Sequence, residues 1–242
     1  MNVKTLSIVI PVKDEEESIW SLAEEISTVM DSCKILWECL WIDDGSEDKT
    51  LEILKELRKK DPRHRYFSFK KNIGQSAAVW LGIKKSSYDF VATLDGDGQN
   101  DPADLPKMLD ILFNEDIDFV AGYRRNRKDN MIRKISSKIA NFFRTMITGK
   151  SVKDAGCSVR VFKKECIEGL PSFLGFHRFF PTLVMYKGFK IKEVPVNHRP
   201  RLRGKSKYNI SNRLWVGILD LFGVWWFKKR TFKIEIKEKS DG

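Results

Sequence analysis

The stretch VATLDGDGQNDP, residues 91–102, runs from four mostly apolar residues into two aspartates, two glycines, a glutamine and an Asp-Pro pair. Asp101 before Pro102 has the composition of a helix N-cap followed by proline at the first helical position. That role does not account for Asp95 and Asp97. Two carboxylates one residue apart at the end of a strand also offer oxygen ligands to a hard divalent cation such as Mg²⁺ or Mn²⁺. The stretch therefore predicts either a plain turn or a metal site at the end of a buried strand.

Short apolar runs alternate with helical patterns on the amino-terminal side of this stretch and just beyond it. Strands are expected at 6–12, 36–43, 66–69, 90–95 and 118–122, and helices at 18–30, 49–59, 75–84 and 104–113. This alternation indicates an α/β fold with a mainly parallel central sheet flanked by helices. In such a sheet, ligands bind beyond the carboxyl ends of the strands. Three polar clusters, PVKDEEE (11–17), DDGSEDKT (43–50) and DGDGQNDP (95–102), follow three expected strands, so their shared location favours a functional site.

The net charge of +11 conceals two unlike halves, because residues 1–120 carry a net −9 and residues 121–242 a net +20. A basic half of this strength indicates an anionic partner, which could be a phosphorylated ligand, a membrane surface or nucleic acid. The four cysteines form no Cys-x-x-Cys pair and lie far from the three histidines. The sequence therefore predicts neither a zinc site nor a disulfide framework.

Several common nucleotide and hydrolase motifs are absent. TGKS (148–151) and RGKS (203–206) end like a P-loop, but arginine replaces the glycine that a P-loop requires five residues earlier. The sequence contains no Gly-x-Gly-x-x-Gly after its first strand and no Gly-x-Ser-x-Gly. P-loop NTPases, dinucleotide dehydrogenases and serine hydrolases are therefore poor interpretations.

The motifs that the sequence does contain resemble those of a family 2 glycosyltransferase of the GT-A (nucleotide-diphospho-sugar transferase) fold, in the dolichyl- or polyprenyl-phosphate glycosyltransferase branch. The resemblance covers nearly the whole chain and rests on SIVIPVKDEEESI, IDDGSEDKT, LDGDGQNDP, AGYR, DAGCSVRVFKK and HRPRLRGKSKYN, in that order. In DGDGQ, glycines stand where this branch often has Ala and Leu.

The resemblance implies roles for individual residues on the donor side. Asp97 and Gln99 are expected to ligate Mg²⁺ or Mn²⁺, and Asp95, Asp97 and Arg201 to act in catalysis. The expected donor-nucleotide residues are Pro11, Glu15, Asp43, Asp44, Asp95 and Lys207. Carboxylates suit this task because they accept hydrogen bonds from base N–H and ribose hydroxyl groups. Arg201 and Lys207 are expected in a loop that closes over the donor diphosphate.

On the acceptor side, the resemblance assigns the lipid phosphate to Arg124, Arg133 and Ser137, and an acceptor loop to Asp154. The guanidinium fork of arginine matches phosphate oxygens. The implied activity is an inverting, metal-dependent transfer of a sugar from a nucleotide-sugar donor to polyprenyl phosphate. A phosphate acceptor is already ionised near neutral pH, so it needs no general base.

Three other functions stay open, one of which is an inactive relative serving only as a membrane scaffold, although the intact metal ligands argue against it. A transferase of the same fold could act on a glycan or glycolipid hydroxyl, and would then need a base near Asp154. A non-enzymatic nucleic-acid-binding protein could use the basic half, although that function gives no reason for acidic clusters at strand ends.

The expected partners are a nucleotide sugar, polyprenyl phosphate and a membrane surface, without nucleic acid, and an oligomer is possible.

Two segments of the basic half have membrane-surface character. Residues 131–147 place apolar side chains at helical spacing with basic residues between them, a pattern typical of a membrane-surface helix, with a buried core helix as the alternative. Residues 214–227, LWVGILDLFGVWWF, are apolar and aromatic with basic flanks, and at about 21 Å as a helix they are too short to span a bilayer. We therefore predict a catalytic domain at 1–211, an amphipathic membrane-associating tail at 212–242, and a peripheral or monotopic protein at the cytoplasmic membrane face.

Overall fold

The computed structural model describes residues 4–125, 149, 152–200 and 211–230. Its elements are β1 (Thr5–Val12), α1 (Ile19–Ser32), β2 (Leu36–Asp43), α2 (Thr50–Lys60), β3 (His64–Ser68), α3 (Gln75–Lys85), β4 (Phe90–Thr93), α4 (Leu105–Asn114), β5 (Phe119–Arg124), β6 (Arg160–Lys163), α5 (Phe176–Tyr186), β7 (Ile191–Val196) and α6 (Ser211–Arg230). Short 3-10 helices cover Pro102–Asp104 and Lys164–Ile167. Every strand and helix expected in the first half is present, with ends shifted by at most two residues.

These strands form one sheet in the order β3-β2-β1-β4-β6-β5-β7. Parallel pairs join β1 to β2 and β4, β2 to β3, and β5 to β7. Among the described strands, β6 alone runs antiparallel to its neighbours β4 and β5. The predicted mainly parallel sheet is therefore confirmed. Because β1, β2 and β4 are parallel and adjacent, their carboxyl ends meet along one border, called here the carboxyl edge.

Helices cover both faces of the sheet, and the core accordingly has two parts. Side chains of α1, α2 and α4 pack with Ile8 and Ile10 of β1 on one face, while α3 and α5 pack with Val9 on the other. Successive strand residues point to opposite faces, so a strand buried on both sides is apolar throughout. Close packing of α3 on β1 requires Gly82, where an added Cβ would lie 2.2 Å from Cγ1 of Val9.

The second half contains elements that the sequence patterns did not predict, namely β6, α5 and β7. The apolar segment 214–227 lies within α6, a helix of 20 residues. Among the described helices, none combines the length and the apolarity needed to cross a membrane. The amphipathic helix expected at 131–147 lies outside the described residues.

A buried histidine makes the stability of the fold depend on pH. His64 is 2% exposed, its Nδ1 accepts a hydrogen bond from Trp41 Nε1 at 3.1 Å, and its Nε2 lies 3.3 Å from Ser27 Oγ. Burial lowers the pKa of His64 from 6.5 to about 4. The folded chain disfavours the protonated, imidazolium form of His64. The contribution of neutral His64 to the free energy of unfolding is therefore fully present above pH 6.5 and is lost as the pH falls toward 4.

We expect wild-type protein to lose about 3 kcal/mol more unfolding free energy than His64→Gln between pH 7 and pH 4. Glutamine can still accept the Trp41 hydrogen bond, but it does not titrate. Urea unfolding followed by circular dichroism at a series of pH values measures the difference. Parallel pH profiles for the two proteins would contradict this origin of the acid sensitivity.

Candidate active site

The Asp-x-Asp loop leaves β4 at the carboxyl edge and packs against the end of β1. An added Cβ at Gly96 would lie 2.5 Å from Cγ1 of Val12, so glycine permits this close approach. Ser18 Oγ donates to the carbonyl oxygen of Gly96 at 2.7 Å. Gly98 has a φ of 71°, a left-handed conformation that favours glycine. Backbone geometry therefore accounts for both glycines of DGDG and leaves the two carboxylates to be explained by their surroundings.

The PVKDEEE and DDGSEDKT loops, which follow β1 and β2, are joined by hydrogen bonds. Backbone N of Asp14 donates to Ser46 Oγ at 2.8 Å, and backbone N of Glu15 donates to Thr50 Oγ1 at 2.9 Å. Pro11 lies opposite Ile42 in the β1–β2 register and is partly exposed, as is Glu15. The two loops therefore form one surface beside the Asp-x-Asp loop, as the sequence predicted.

Asp43 is buried at the end of β2, and its oxygens accept bonds from backbone N of Ser46 at 2.9 Å and Ser68 Oγ at 2.7 Å. A carboxylate has about four acceptor positions, so Asp43 keeps capacity for a base or ribose donor.

The neighbouring carboxylate, Asp44, has a mainly internal role. It accepts hydrogen bonds from backbone N of Ile73 at 2.7 Å, backbone N of Gly74 at 2.9 Å and Asn72 Nδ2 at 3.0 Å. These bonds hold the loop that leads into α3. The assignment of Asp44 to the nucleotide stays a prediction.

Asp95 accepts hydrogen bonds from two side chains that lie far from it along the chain. Its Oδ1 accepts from Gln75 Nε2 at 2.9 Å, and its Oδ2 accepts from Ser158 Oγ at 2.6 Å. Burial, together with the nearby carboxylate of Asp97, raises the pKa of Asp95 to about 6. The carboxylates of Asp95 and Asp97 repel each other in a site with little solvent. A bound cation would relieve that repulsion.

Asp97 and Gln99 present the oxygens that the sequence assigned to a metal. Backbone N of Gln99 donates to Asp97 Oδ1 at 3.1 Å, and Gln99 Nε2 donates to the carbonyl oxygen of Arg199 at 3.2 Å. The second bond orients the amide, so Gln99 Oε1 can act as a ligand. Asn100 pairs with His198 in an isolated β-bridge beside them. Across the described residues, no cluster of three or more His, Cys, Asp or Glu could hold a metal ion.

Arg124 and Asp154 form a two-pronged ion pair near the end of β5. Arg124 Nε donates to Asp154 Oδ2 at 2.7 Å, and Arg124 Nη2 donates to Asp154 Oδ1 at 2.8 Å. Both side chains are 14% exposed. A guanidinium has five N–H groups, so this pair leaves donors for an acceptor phosphate, and that role stays a prediction. The other expected phosphate and loop residues, Arg133, Ser137, Arg201 and Lys207, lie outside the described residues.

Sequence reasoning missed the side chains that orient Asp95. Gln75 begins α3 and Ser158 precedes β6, so they lie 20 and 63 residues from Asp95 along the chain. Asn100 Oδ1 accepts from backbone N of Asp95 at 2.6 Å and lies 2.9 Å from Ser158 Oγ, whose single proton it shares with Asp95. Only Asn100 carried a local signal, because it belongs to the DGDGQN stretch.

A mainly parallel sheet with an Asp-x-Asp loop and further acids along its carboxyl edge is the arrangement of GT-A nucleotide-sugar transferases. Residues 7–170 match the family described as "Glycosyl transferase family 2". The chain therefore belongs to glycosyl transferase family 2.

Two relatives specify the branch of the family to which the chain is similar. The dodecaprenyl-phosphate galacturonate synthase of Rhizobium johnstonii is 38% identical over 228 residues, which are 93% of this chain and 67% of that protein. The undecaprenyl-phosphate 4-deoxy-4-formamido-L-arabinose transferase of Salmonella choleraesuis is 35% identical over 208 residues, 86% of this chain and 63% of that protein. The chain thus spans about two thirds of the length of these curated relatives.

Solved structures agree on the fold. Glucosyl-3-phosphoglycerate synthase from Mycobacterium tuberculosis, crystallised with Mg²⁺ and UDP, has a TM-score of 0.68 at 22% identity, covering 91% of this chain and 80% of that one. The same enzyme with Mn²⁺, UDP and phosphoglyceric acid has a TM-score of 0.67 at 20% identity, covering 95% of this chain and 80% of that one. At this level of identity the likeness concerns the fold alone, which confirms the predicted GT-A architecture.

Proposed function

We propose that this chain transfers a sugar, with inversion, from a nucleotide-sugar donor to polyprenyl phosphate at the cytoplasmic face of a membrane, using Mg²⁺ or Mn²⁺. One observation carries the proposal: two relatives at least 35% identical over most of the chain are both named as polyprenyl-phosphate sugar enzymes. The acids at the carboxyl edge support the donor half of this proposal. The metal is supported by the oxygen ligands of Asp97 and Gln99, and by neighbours crystallised with Mg²⁺ or Mn²⁺ and UDP.

Some side chains of the site bind the donor, and others stabilise the charge on its diphosphate. Asp43, with Pro11 and Glu15 beside it, accepts hydrogen bonds from the base and ribose of the donor. Asp95, oriented by Gln75 and Ser158, accepts bonds from donor hydroxyl groups. When bound at Asp97 and Gln99, the cation supplies Lewis-acid stabilisation of the charge that develops on the leaving diphosphate. Arg201 and Lys207 add positive charge to the same diphosphate.

On the acceptor side, the chain needs only to bind and orient an anion. Arg124, Arg133 and Ser137 hold the lipid phosphate, whose oxygen attacks without prior loss of a proton to the protein. The alternative acceptor, a glycan or glycolipid hydroxyl, needs a base near Asp154. That carboxylate is engaged through both oxygens by Arg124, which disfavours this use.

The tail is the proposed membrane element, with the catalytic domain at 1–211 and the tail at 212–242. The start of helix α6 at Ser211 supports that proposed boundary. Its last turn carries Lys228, Lys229 and Arg230, whose charge suits anionic lipid. The proposal describes a peripheral or monotopic enzyme.

The proposed function is tested by offering the purified chain a panel of nucleotide sugars with undecaprenyl phosphate or undecaprenol, in Mg²⁺, Mn²⁺ or EDTA. We expect a glycosyl phospholipid product from the phosphate alone, and no product in EDTA. Transfer to undecaprenol at an equal rate would favour a hydroxyl acceptor and contradict the proposal.

For Arg133→Ala, we expect the KM for polyprenyl phosphate to rise about ten- to a hundredfold, because a charge-assisted contact to the acceptor is lost. The KM for the nucleotide sugar should stay within about twofold, since the donor binds elsewhere. Arg58→Ala, which removes an exposed arginine of α2, is the matched control. A weakened donor KM with unchanged acceptor kinetics would assign Arg133 to the donor site instead.

A further inference from the structure

Six large apolar side chains are exposed on one part of the molecule, called here the apolar face. Exposed fractions are 48% for Ile73, 63% for Leu174, 70% for Leu219, 56% for Phe222, 41% for Trp225 and 58% for Trp226. Ile73 belongs to the loop before α3, Leu174 to the loop before α5, and the other four to α6. Contiguous apolar patches on a protein surface mark contacts with proteins, membranes or ligands.

Contacts join these three segments into one surface. A Cβ at Gly74, next to Ile73, would lie 3.9 Å from Cδ2 of Leu174. A Cβ at Gly175, next to Leu174, would lie 2.3 Å from Oδ2 of Asp220 in α6. The position of α6 is held further by Arg178 Nη2, which donates to Asp220 Oδ2 at 3.0 Å. The loop before α5 therefore lies directly beside α6, and the loop before α3 lies next to Leu174 on the loop before α5.

Helix α6 presents its two sides to different surroundings. Val224 is 2% exposed, and Leu221 and Phe227 pack against the core that contains α3 and α5. Leu219, Phe222 and Trp226 recur at spacings of three and four residues, which places them on the opposite side of the helix. The helix thus lies along the protein body with an apolar stripe outward, the orientation of a helix lying in the plane of a membrane interface.

The apolar face also adjoins the carboxyl edge. Backbone N atoms of Ile73 and Gly74 donate to Asp44, and Gln75, one residue further, donates to Asp95. Whatever covers the apolar face is therefore brought next to the acids of the site.

Basic residues border the apolar face on two sides. Lys70 and Lys71 are exposed just before Ile73, and Lys228, Lys229 and Arg230 end α6. Apolar and aromatic side chains flanked by cations complement an anionic bilayer, in which the apolar groups sit below the headgroups and the cations meet lipid phosphates.

We propose that the apolar face docks on an anionic bilayer, with Ile73 and Leu174 of the catalytic domain entering the interface together with α6. The membrane contact then extends beyond the tail and holds the carboxyl edge at the lipid surface, where a polyprenyl phosphate headgroup lies. This purpose rests on the proposed function, whereas the docking itself does not depend on catalysis.

The test compares vesicle binding of the full chain with that of an Ile73→Asp/Leu174→Asp variant that keeps α6 intact. With vesicles of 70% phosphatidylcholine and 30% phosphatidylglycerol, we expect the variant to bind about tenfold or more weakly, since two apolar side chains leave the interface. Leu36→Asp is the matched control, because Leu36 is 54% exposed at the start of β2, on the opposite edge of the sheet. Its binding should equal that of the wild type.

A second measurement does not depend on the aspartate variant folding. An environment-sensitive fluorophore attached to the Leu174→Cys variant, in a Cys33→Ser background, should shift its emission to the blue on adding vesicles, while the same fluorophore attached to Leu36→Cys should not. Equal vesicle binding by wild type and variant, no binding by the wild type, or a spectral shift at both positions would overturn the proposal. A lipid-free dimer in ultracentrifugation that the variant abolishes would overturn it too, by assigning the face to a second copy.

Failure of the proposed function is detected separately. Sugar transfer by the wild-type chain to a short-chain polyprenyl phosphate in detergent needs no vesicle. Docking without transfer would reject the function and keep the apolar face, and transfer without docking would do the reverse.

Discussion

Asp97→Asn is expected to reduce sugar transfer by about a hundred- to a thousandfold while leaving the fold unchanged. Removing the carboxylate charge weakens the site of the cation that stabilises the leaving diphosphate. Asparagine keeps the size of the side chain, and its Oδ1 can still accept the bond that backbone N of Gln99 now donates to Asp97 at 3.1 Å. Loss of activity would therefore report the lost charge rather than a rearranged loop.

Three measurements separate these effects. Transfer rates quantify the loss, calorimetric titration of Mn²⁺ in the presence of UDP should show weaker binding, and thermal unfolding should be unchanged. Asp110→Asn changes an exposed carboxylate of α4 and serves as the control for charge alone. A variant at Asp97 with full activity and normal Mn²⁺ binding would disprove the metal assignment.

Breaking the ion pair between Arg124 and Asp154 is expected to lower the free energy of unfolding by about 3 kcal/mol in Arg124→Ala. Both side chains are 14% exposed, so the single variant leaves a largely buried carboxylate without its cation. Asp154→Asn should be destabilising for the matching reason. In a double-mutant cycle, the combined variant should lose less than the sum of the two, by about 1–3 kcal/mol.

The exposed pair of Lys192 and Glu115 provides the control. Its side chains are 42% and 43% exposed, so Lys192→Ala should cost under about 1 kcal/mol. Denaturant unfolding measures all the variants. If Arg124→Ala is as stable as the wild type, the pair contributes little to the fold, whatever the variant's affinity for polyprenyl phosphate.

The strands of the first half were predictable because their burial leaves a local trace. Strands covered by helices on both faces are mostly apolar, as in β1 and β2, where Ser7, Glu38 and Asp43 are buried polar exceptions. Strand β6 gave no such trace, since it is four residues long and begins with a buried arginine, Arg160, which is 4% exposed. Its antiparallel place between β4 and β5 depends on pairing between distant parts of the chain.

The location of the candidate site was also predictable, although its internal bonds were not. Acids after β1, β2 and β4 had to meet, because parallel neighbouring strands end on the same edge. No sequence pattern indicated that Asp44 would hold the amides of Ile73 and Gly74, or that Ser158 would donate to Asp95. These contacts distinguish the acids that hold the loops in place from the acids that can still accept hydrogen bonds from a ligand.

By itself, the sequence determined the class of fold, the edge that carries the acids and the family, because apolar periodicity and short motifs are local properties of the chain. The tertiary structure decided which donor each carboxylate accepts from, that Arg124 is paired with Asp154, and that Ile73 and Leu174 share a surface with α6. A hydrogen bond or an apolar contact forms only when two groups approach within about 3 to 4 Å. For residues dozens of positions apart, that distance is set by the packing of the whole chain.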